Sequence, residues 1–180
     1  MPATLLSLRY RSCCSVALVA VLWAGNVFGQ GSCSESEDLA LLDFWLGEWR
    51  VVDEAEQLLG HNTIMRILNG CVLEERWQGR NGGMGFSLFY VNPATAALKQ
   101  VWVSGQAMLP GGVKEKEVIM AEAGVSVVFQ GSYPSAQGRV LDRTTLIRQD
   151  NGDVLQLIEL SMDDGETWQS SFRGLYQARP

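Results

Sequence analysis

The chain has 180 residues, 47% of them hydrophobic, with 14 Lys and Arg against 20 Asp and Glu for a formal net charge of −6. That is enough for one domain with its own core. An acidic chain without a Lys/Arg run has no electrostatic footprint for nucleic acid or anionic lipid, so neither is expected as a partner.

The N-terminus reads as an export signal. Arg9 and Arg11 precede an apolar run from Val16 to Phe28, interrupted by Gly25 and Asn26, and small and polar residues follow. Roughly 13 apolar residues in this order fit a secretory signal and are too few to span a bilayer. Cleavage is expected near Gly29, giving a signal at 1–29 and one mature domain at 30–180, secreted or periplasmic, with no integral membrane segment. A lipid anchor on Cys33 is disfavoured, because Gln30-Gly31-Ser32 places an amide where a lipobox has an aliphatic residue. Loss of two arginines takes the mature net charge to about −8. Cys13 and Cys14 leave with the signal, while Cys33 and Cys71 remain as an even pair in an oxidising space. A disulfide between them would close a loop of about 38 residues, for about 3 to 4 kcal/mol of chain entropy. The other reading is two free thiols, with Cys71 a small buried hydrophobe.

Residues 35–42 run from acidic to aliphatic, and Ser36 or Asp38 is placed to cap a short helical turn leading into Phe44. From there the hydrophobic period is two. Strands are expected at 48–53, 61–68, 72–78, 85–91, 98–104, 114–120, 125–130, 140–148, 154–160 and 168–176. Asn69-Gly70, Asn81-Gly82-Gly83, Asn92-Pro93, Pro110-Gly111-Gly112, Ala123-Gly124, Tyr133-Pro134 and Asn151-Gly152 punctuate them with turn chemistry. Strands joined this way are antiparallel neighbours, and a meander of this length removes its edges by closing. The expected fold is therefore all-β: an antiparallel up-and-down barrel of about ten strands, preceded by a short helical turn.

Two tryptophans flank the start of the first strand in Phe44-Trp45-Leu46-Gly47-Glu48-Trp49. Gly47-Glu48-Trp49 resembles the Gly-x-Trp signature of lipocalins and their calycin relatives. The resemblance implies that the Trp49 indole plugs one end of the barrel, that Gly47 lets the incoming turn approach the wall, and that Arg173 packs over Trp49. The fuller pattern runs through Asp43–Trp49, Ile67-Leu68-Asn69-Gly70-Cys71-Val72-Leu73-Glu74-Glu75-Arg76-Trp77, Asp164-Gly165, Thr167-Trp168 and Gly174-Leu175-Tyr176. It resembles a bacterial family of exported, uncharacterised lipocalin-like domains across essentially the whole mature chain, and implies a fold rather than a reaction.

Ser161-Met162-Asp163-Asp164-Gly165-Glu166-Thr167-Trp168 fits the Asp-box pattern of sialidases and other β proteins. Its work is to fold a hairpin: Asp163 accepts backbone N–H groups, Gly165 takes the positive-φ position and Trp168 packs beneath. A sialidase would need repeated boxes and an arginine cluster, which this chain lacks. His61 is the only histidine, at the turn before the second strand. It reads as an exposed hairpin residue, with haem ligation the less favoured alternative. One His and two bridged Cys do not fill a zinc shell, so no metal or cofactor is expected.

Parity places Leu73, Glu75 and Trp77 on one face of the third strand. Glu75 would then lie inside the barrel, paired with an arginine such as Arg143 or carrying a raised pKa. If the interior is hollow, the candidate lining is Trp77, Met84, Phe86, Tyr90 and Trp102, with Glu75 and Gln100 as orienting polar groups. No catalytic residue is assigned: a nucleophile triad has no second histidine or Ser-Lys pairing to use, and Gly82-Gly83 and Gly111-Gly112 open no phosphate-binding helix. Three readings follow. The first is an exported barrel that binds a small apolar or amphipathic molecule. The second is an enzyme using Glu75 as acid or base in the barrel mouth. The third is an interaction module with a filled barrel, presenting the loops near 81–85 and 105–112.

Overall fold

The computed structural model describes Cys33 and residues 36–179, so the signal expected at 1–29 lies outside the described residues. Ser36 accepts a hydrogen bond from the Leu39 N–H and caps the single turn α1 (Glu37–Ala40), and a 3₁₀ turn, Asp43–Trp45, leads into the barrel. Ten strands follow: β1 (Gly47–Val52), β2 (Leu58–Ile67), β3 (Val72–Gly79), β4 (Met84–Asn92), β5 (Ala97–Ser104), β6 (Val113–Glu122), β7 (Ser126–Ser135), β8 (Gly138–Arg148), β9 (Val154–Ser161) and β10 (Gln169–Ala178). Each pairs antiparallel with its chain neighbours, and β1 closes on β10 through Trp49 opposite Ala178 and Val51 opposite Tyr176. The molecule is an all-β, closed, ten-stranded up-and-down barrel. Among the described residues no helix is long and apolar enough to cross a membrane.

The two largest differences from the expected strand boundaries have local reasons. β2 begins at Leu58 because the Asp53 carboxylate accepts the Ala55 and Gln57 N–H groups, both at 2.9 Å, and closes the preceding turn early. β7 continues through Tyr133-Pro134, where the sequence predicts a turn; the reversal comes after Ser135, whose hydroxyl takes the Gln137 N–H and bonds the Gly138 carbonyl. A proline is tolerated this close to a strand end because few ladder bonds remain to lose.

The end of the barrel beside α1 is packed solid. Leu39, Leu42, Trp45, Trp49, Phe89, Phe129 and Tyr176 are all buried there. Trp45 meets Phe89 and Tyr176 edge-on, at centroid distances of 5.7 and 5.8 Å, and the Trp49 indole N–H donates to the Trp45 carbonyl at 2.9 Å. Gly47 sits at φ +135°, which side-chain-bearing residues avoid, so the entry into β1 requires glycine. Arg173 is not part of this plug. On β10 the residues facing inward are Phe172, Gly174 and Tyr176, so Arg173 points outward and pairs with Glu54 at 2.6 Å. The register seats Trp49 opposite Ala178, five positions along the strand from Arg173. Tyr176 takes the place that the resemblance gave to the arginine, with ring centroids 6.3 Å from Trp49.

Cys33 and Cys71 form a disulfide, tying the segment before α1 to the 3₁₀ turn Leu68–Gly70 that joins β2 to β3.

Candidate functional site: a half-open lumen

The alternation of the strands divides the lumen into three layers. Above the apolar plug comes a belt of buried polar side chains, one or two from most strands: Asn62, Glu75, Ser87, Gln100, Lys116, Asp142, Thr144 and Gln156. Beyond the belt, at the end away from α1, a cavity of about 140 Å³ is lined by apolar Trp77, Trp102, Ile158 and Phe172 and by polar Glu75, Gln100, Lys114, Lys116, Thr144, Gln156 and Tyr176. Trp77, Trp102 and Lys114 stand close to strand ends and remain partly exposed, so this end of the barrel is its mouth.

The belt is one hydrogen-bonded chain on its Glu75 side. Gln100 Nε2 donates to Ser87 Oγ at 3.1 Å, and the Ser87 hydroxyl donates to Glu75 Oε2 at 2.6 Å. Asn62 Nδ2 donates to Glu75 Oε1 at 2.8 Å and to the Tyr176 oxygen at 3.1 Å, and the Tyr176 hydroxyl donates to Gln156 Oε1 at 2.7 Å. Both oxygens of Glu75 are thus supplied with donors. Burial pushes its carboxyl above the usual 4.5, opposed in turn by the Ser87 and Asn62 hydrogen bonds and the charge of Lys116. Burial also raises the Tyr176 hydroxyl, with the Glu75 charge adding to it.

The facing wall is ionic. Lys116 bonds Asp142 and donates to Thr144 Oγ1 at 2.6 Å, and Lys114 reaches the other Asp142 oxygen at 2.6 Å. Burial brings the Lys116 ammonium down to about 8, against the opposing pull of Asp142.

Why the mouth stays hollow is visible in three glycines. A Cβ on Gly60 would stand 2.6 Å from the Trp77 ring, one on Gly85 would stand 2.3 Å from the Trp102 ring, and one on Gly174 would stand 2.8 Å from the Phe172 ring. Each aromatic ring occupies the space over an inward-facing glycine that a Cβ would otherwise fill.

Of the residues that the sequence suggests as lining, Glu75, Trp77, Gln100 and Trp102 border the cavity. Met84, Phe86 and Tyr90 do not. On β4 it is Gly85, Ser87 and Phe89 that face inward, so these three stand on the outer wall, with Met84 62% and Phe86 37% exposed. The sequence of β4 gives no amphipathic contrast, because its outward positions are also apolar. Arg143 is likewise no partner of Glu75: it lies outside, bonded to Glu159 at 2.9 Å and laid over the Trp168 ring at 4.0 Å. His61 lies within β2, between the inward-facing Gly60 and Asn62, so its side chain is turned away from the lumen. Sequence reasoning missed Lys114, Lys116, Thr144, Gln156, Ile158 and Phe172. Lys114-Glu115-Lys116-Glu117 reads as a solvated strand, and nothing short of the register shows that its lysine face is the inner one.

The Asp163 turn closes at the same end. Asp163 accepts from Ser161 Oγ at 2.7 Å, from the Thr167 N–H at 2.9 Å and from the Thr167 hydroxyl, while the Trp168 indole donates to the Gly165 carbonyl at 3.1 Å. Gly165 holds φ at +95°. These donors, the Thr167 hydroxyl first, pull the Asp163 carboxyl down to about 2. Among the described residues no group of three His, Cys, Asp or Glu side chains is placed to hold a metal ion. No protein-family model matches the sequence, and no curated protein matches it.

Proposed function

We propose that the protein is an exported binding barrel of the lipocalin-like kind it resembles, taking up a small apolar or amphipathic molecule without changing it. The observation that carries this reading is the cavity of about 140 Å³, walled by Trp77, Trp102, Ile158 and Phe172 over a polar floor. Pockets that hold small molecules combine such an apolar wall with a few fixed polar groups. An engineered apolar cavity of about 150 Å³ takes benzene, so the enclosed part of the ligand is one ring in size and anything longer extends through the mouth. Export is supported by the signal-like order of residues in 1–29 and by the Cys33–Cys71 disulfide, a bond of oxidising compartments.

Titration of the protein with single-ring compounds tests this, read by tryptophan fluorescence and by native mass spectrometry. Binding is expected to quench Trp77 and Trp102, and Trp102→Ala is expected to remove most of the response. A response that survives both Trp77→Phe and Trp102→Phe would place the ligand elsewhere.

A second reading is supported by Glu75, a carboxyl raised by burial at the edge of the cavity. In it Glu75 exchanges a proton with the bound molecule. Turnover that Glu75→Gln abolishes in a folded protein would establish this reading over simple binding.

A further inference from the structure

We infer that the ligand is an anion: a ring-bearing carboxylate whose charged end meets the ammonium groups of Lys114 and Lys116, with its ring against Trp77, Trp102, Ile158 and Phe172. This rests on the ligand-binding reading above and adds the ligand's charge.

The starting point is an imbalance on one wall. β6 turns two lysines into the lumen, two residues apart, and a single carboxylate, Asp142 of β8, serves both. Asp142 and Lys116 are buried, while the Lys114 side chain is 20% exposed at the mouth, where it also stands 5.4 Å from the Tyr133 ring. The acids next to these lysines in sequence do not compensate. Glu115 and Glu117 alternate to the outer face, where Glu117 pairs with Lys99. Glu75 is the carboxylate that borders the cavity, and its charge and that of Lys116 act on each other, but Glu75 forms no ion pair with either lysine. Its oxygens are occupied by Asn62 and Ser87.

The lysine wall by itself therefore offers donors, and two ammonium groups there share one ion-paired carboxylate. Thr144 accepts from Lys116 through Oγ1, which leaves its hydroxyl hydrogen to donate, and Gln156, its Oε1 already holding the Tyr176 hydroxyl, also borders the cavity. A carboxylate matches such a set: two oxygens, several lone pairs and one negative charge. An ammonium ligand would meet like charge there. The aromatic side of the cavity excludes a bare inorganic anion as the best fit, because its apolar surface would remain uncovered.

The test titrates the full protein with benzoate, benzyl alcohol and benzylamine, three probes of one ring differing in charge. Benzoate is expected to bind roughly tenfold more tightly than benzyl alcohol, with benzylamine the weakest. Lys114→Met is expected to bring benzoate binding down to the level of benzyl alcohol measured on the same variant, with near-UV circular dichroism and the thermal unfolding midpoint as the controls for an intact fold. Lys114→Arg should restore much of the advantage. Equal affinity for benzoate and benzyl alcohol, or a preference for benzylamine, overturns the charge assignment while the binding reading stands. Failure of all three probes to bind overturns the binding reading, and this inference with it.

Discussion

At the scale of single residues, the position of Glu75 is the clearest case of sequence chemistry completed by its surroundings. Parity on β3 turns it inward, and Asn62 and Ser87 hold its two oxygens. Since burial raises its folded value above the usual 4.5, the stabilising contribution of this group is complete below about pH 4.5 and is lost as the pH rises through the folded value. Glu75→Gln can still accept from Asn62 and can donate to Ser87. The variant is expected to flatten the decline in stability as the pH rises above about 4.5 and to cost at most about 1 kcal/mol. Urea unfolding across that range checks it; an unaltered slope would remove Glu75 as the source. Lys116 has the opposite sense. Its folded value of about 8 lies below the usual 10.5, so its contribution is present above 10.5 and is lost as the pH falls through 8.

At the scale of elements, the seats beneath the aromatic rings decide whether the mouth is open. Gly85→Ala would put a methyl group into the space of the Trp102 ring, which would then lie 2.3 Å from the new carbon and has only the lumen to move into. The expected result is about 1 to 3 kcal/mol of destabilisation, in the range of overpacked cores, together with loss of single-ring binding. Fluorescence titration and thermal unfolding of the one variant read both effects. The β9–β10 hairpin makes a separate prediction. Asp163 is held down at about 2, so its contribution is present above its ordinary value near 3.8 and fades as the pH falls through 2. Asp163→Asn should accelerate amide exchange at Thr167 and Trp168 near neutral pH, with the difference from the native protein shrinking below about pH 2.

At the scale of the whole molecule, closure and the Cys33–Cys71 disulfide act together. The bond joins residues 38 apart and fixes the segment before α1 to the β2–β3 turn at the packed end. Chain entropy assigns it about 4 kcal/mol, or roughly 8 to 16 °C in Tm for a domain of this size. Reduction, or the Cys33→Ser, Cys71→Ser double variant, is expected to lower Tm by about that amount and to leave the cavity able to bind, since the cavity lies at the other end. A drop of less than about 2 °C would show that the segment before α1 holds its place without the bond.

Much of this architecture was legible in the sequence. Ten runs of period two separated by Gly-, Asn- and Pro-bearing turns defined ten strands, because each strand's alternation and each turn's chemistry are local properties. Asp163 as a turn residue was legible for the same reason, whereas Trp49 as an end plug was implied by the resemblance. The inner face was readable only where the two faces contrast, as on β3 with Leu73, Glu75 and Trp77. On β4 both faces are apolar, so Met84, Phe86 and Tyr90 read as lining yet belong to the outside. On β6 the inner face carries lysines, which ordinarily mark the outer one.

The sequence by itself determined the strands, most of their turns and their order around the ring, since sequential hairpins leave a meander little choice but to close on its neighbours. Tertiary structure alone decided what fills the ring. Which of Arg173 or Tyr176 reaches Trp49, whether Lys114 and Lys116 share Asp142, and whether Trp77 and Trp102 block the lumen or lie along its wall all depend on register between strands far apart in the chain. A shift of one residue would reverse each of these outcomes without altering a single local signal.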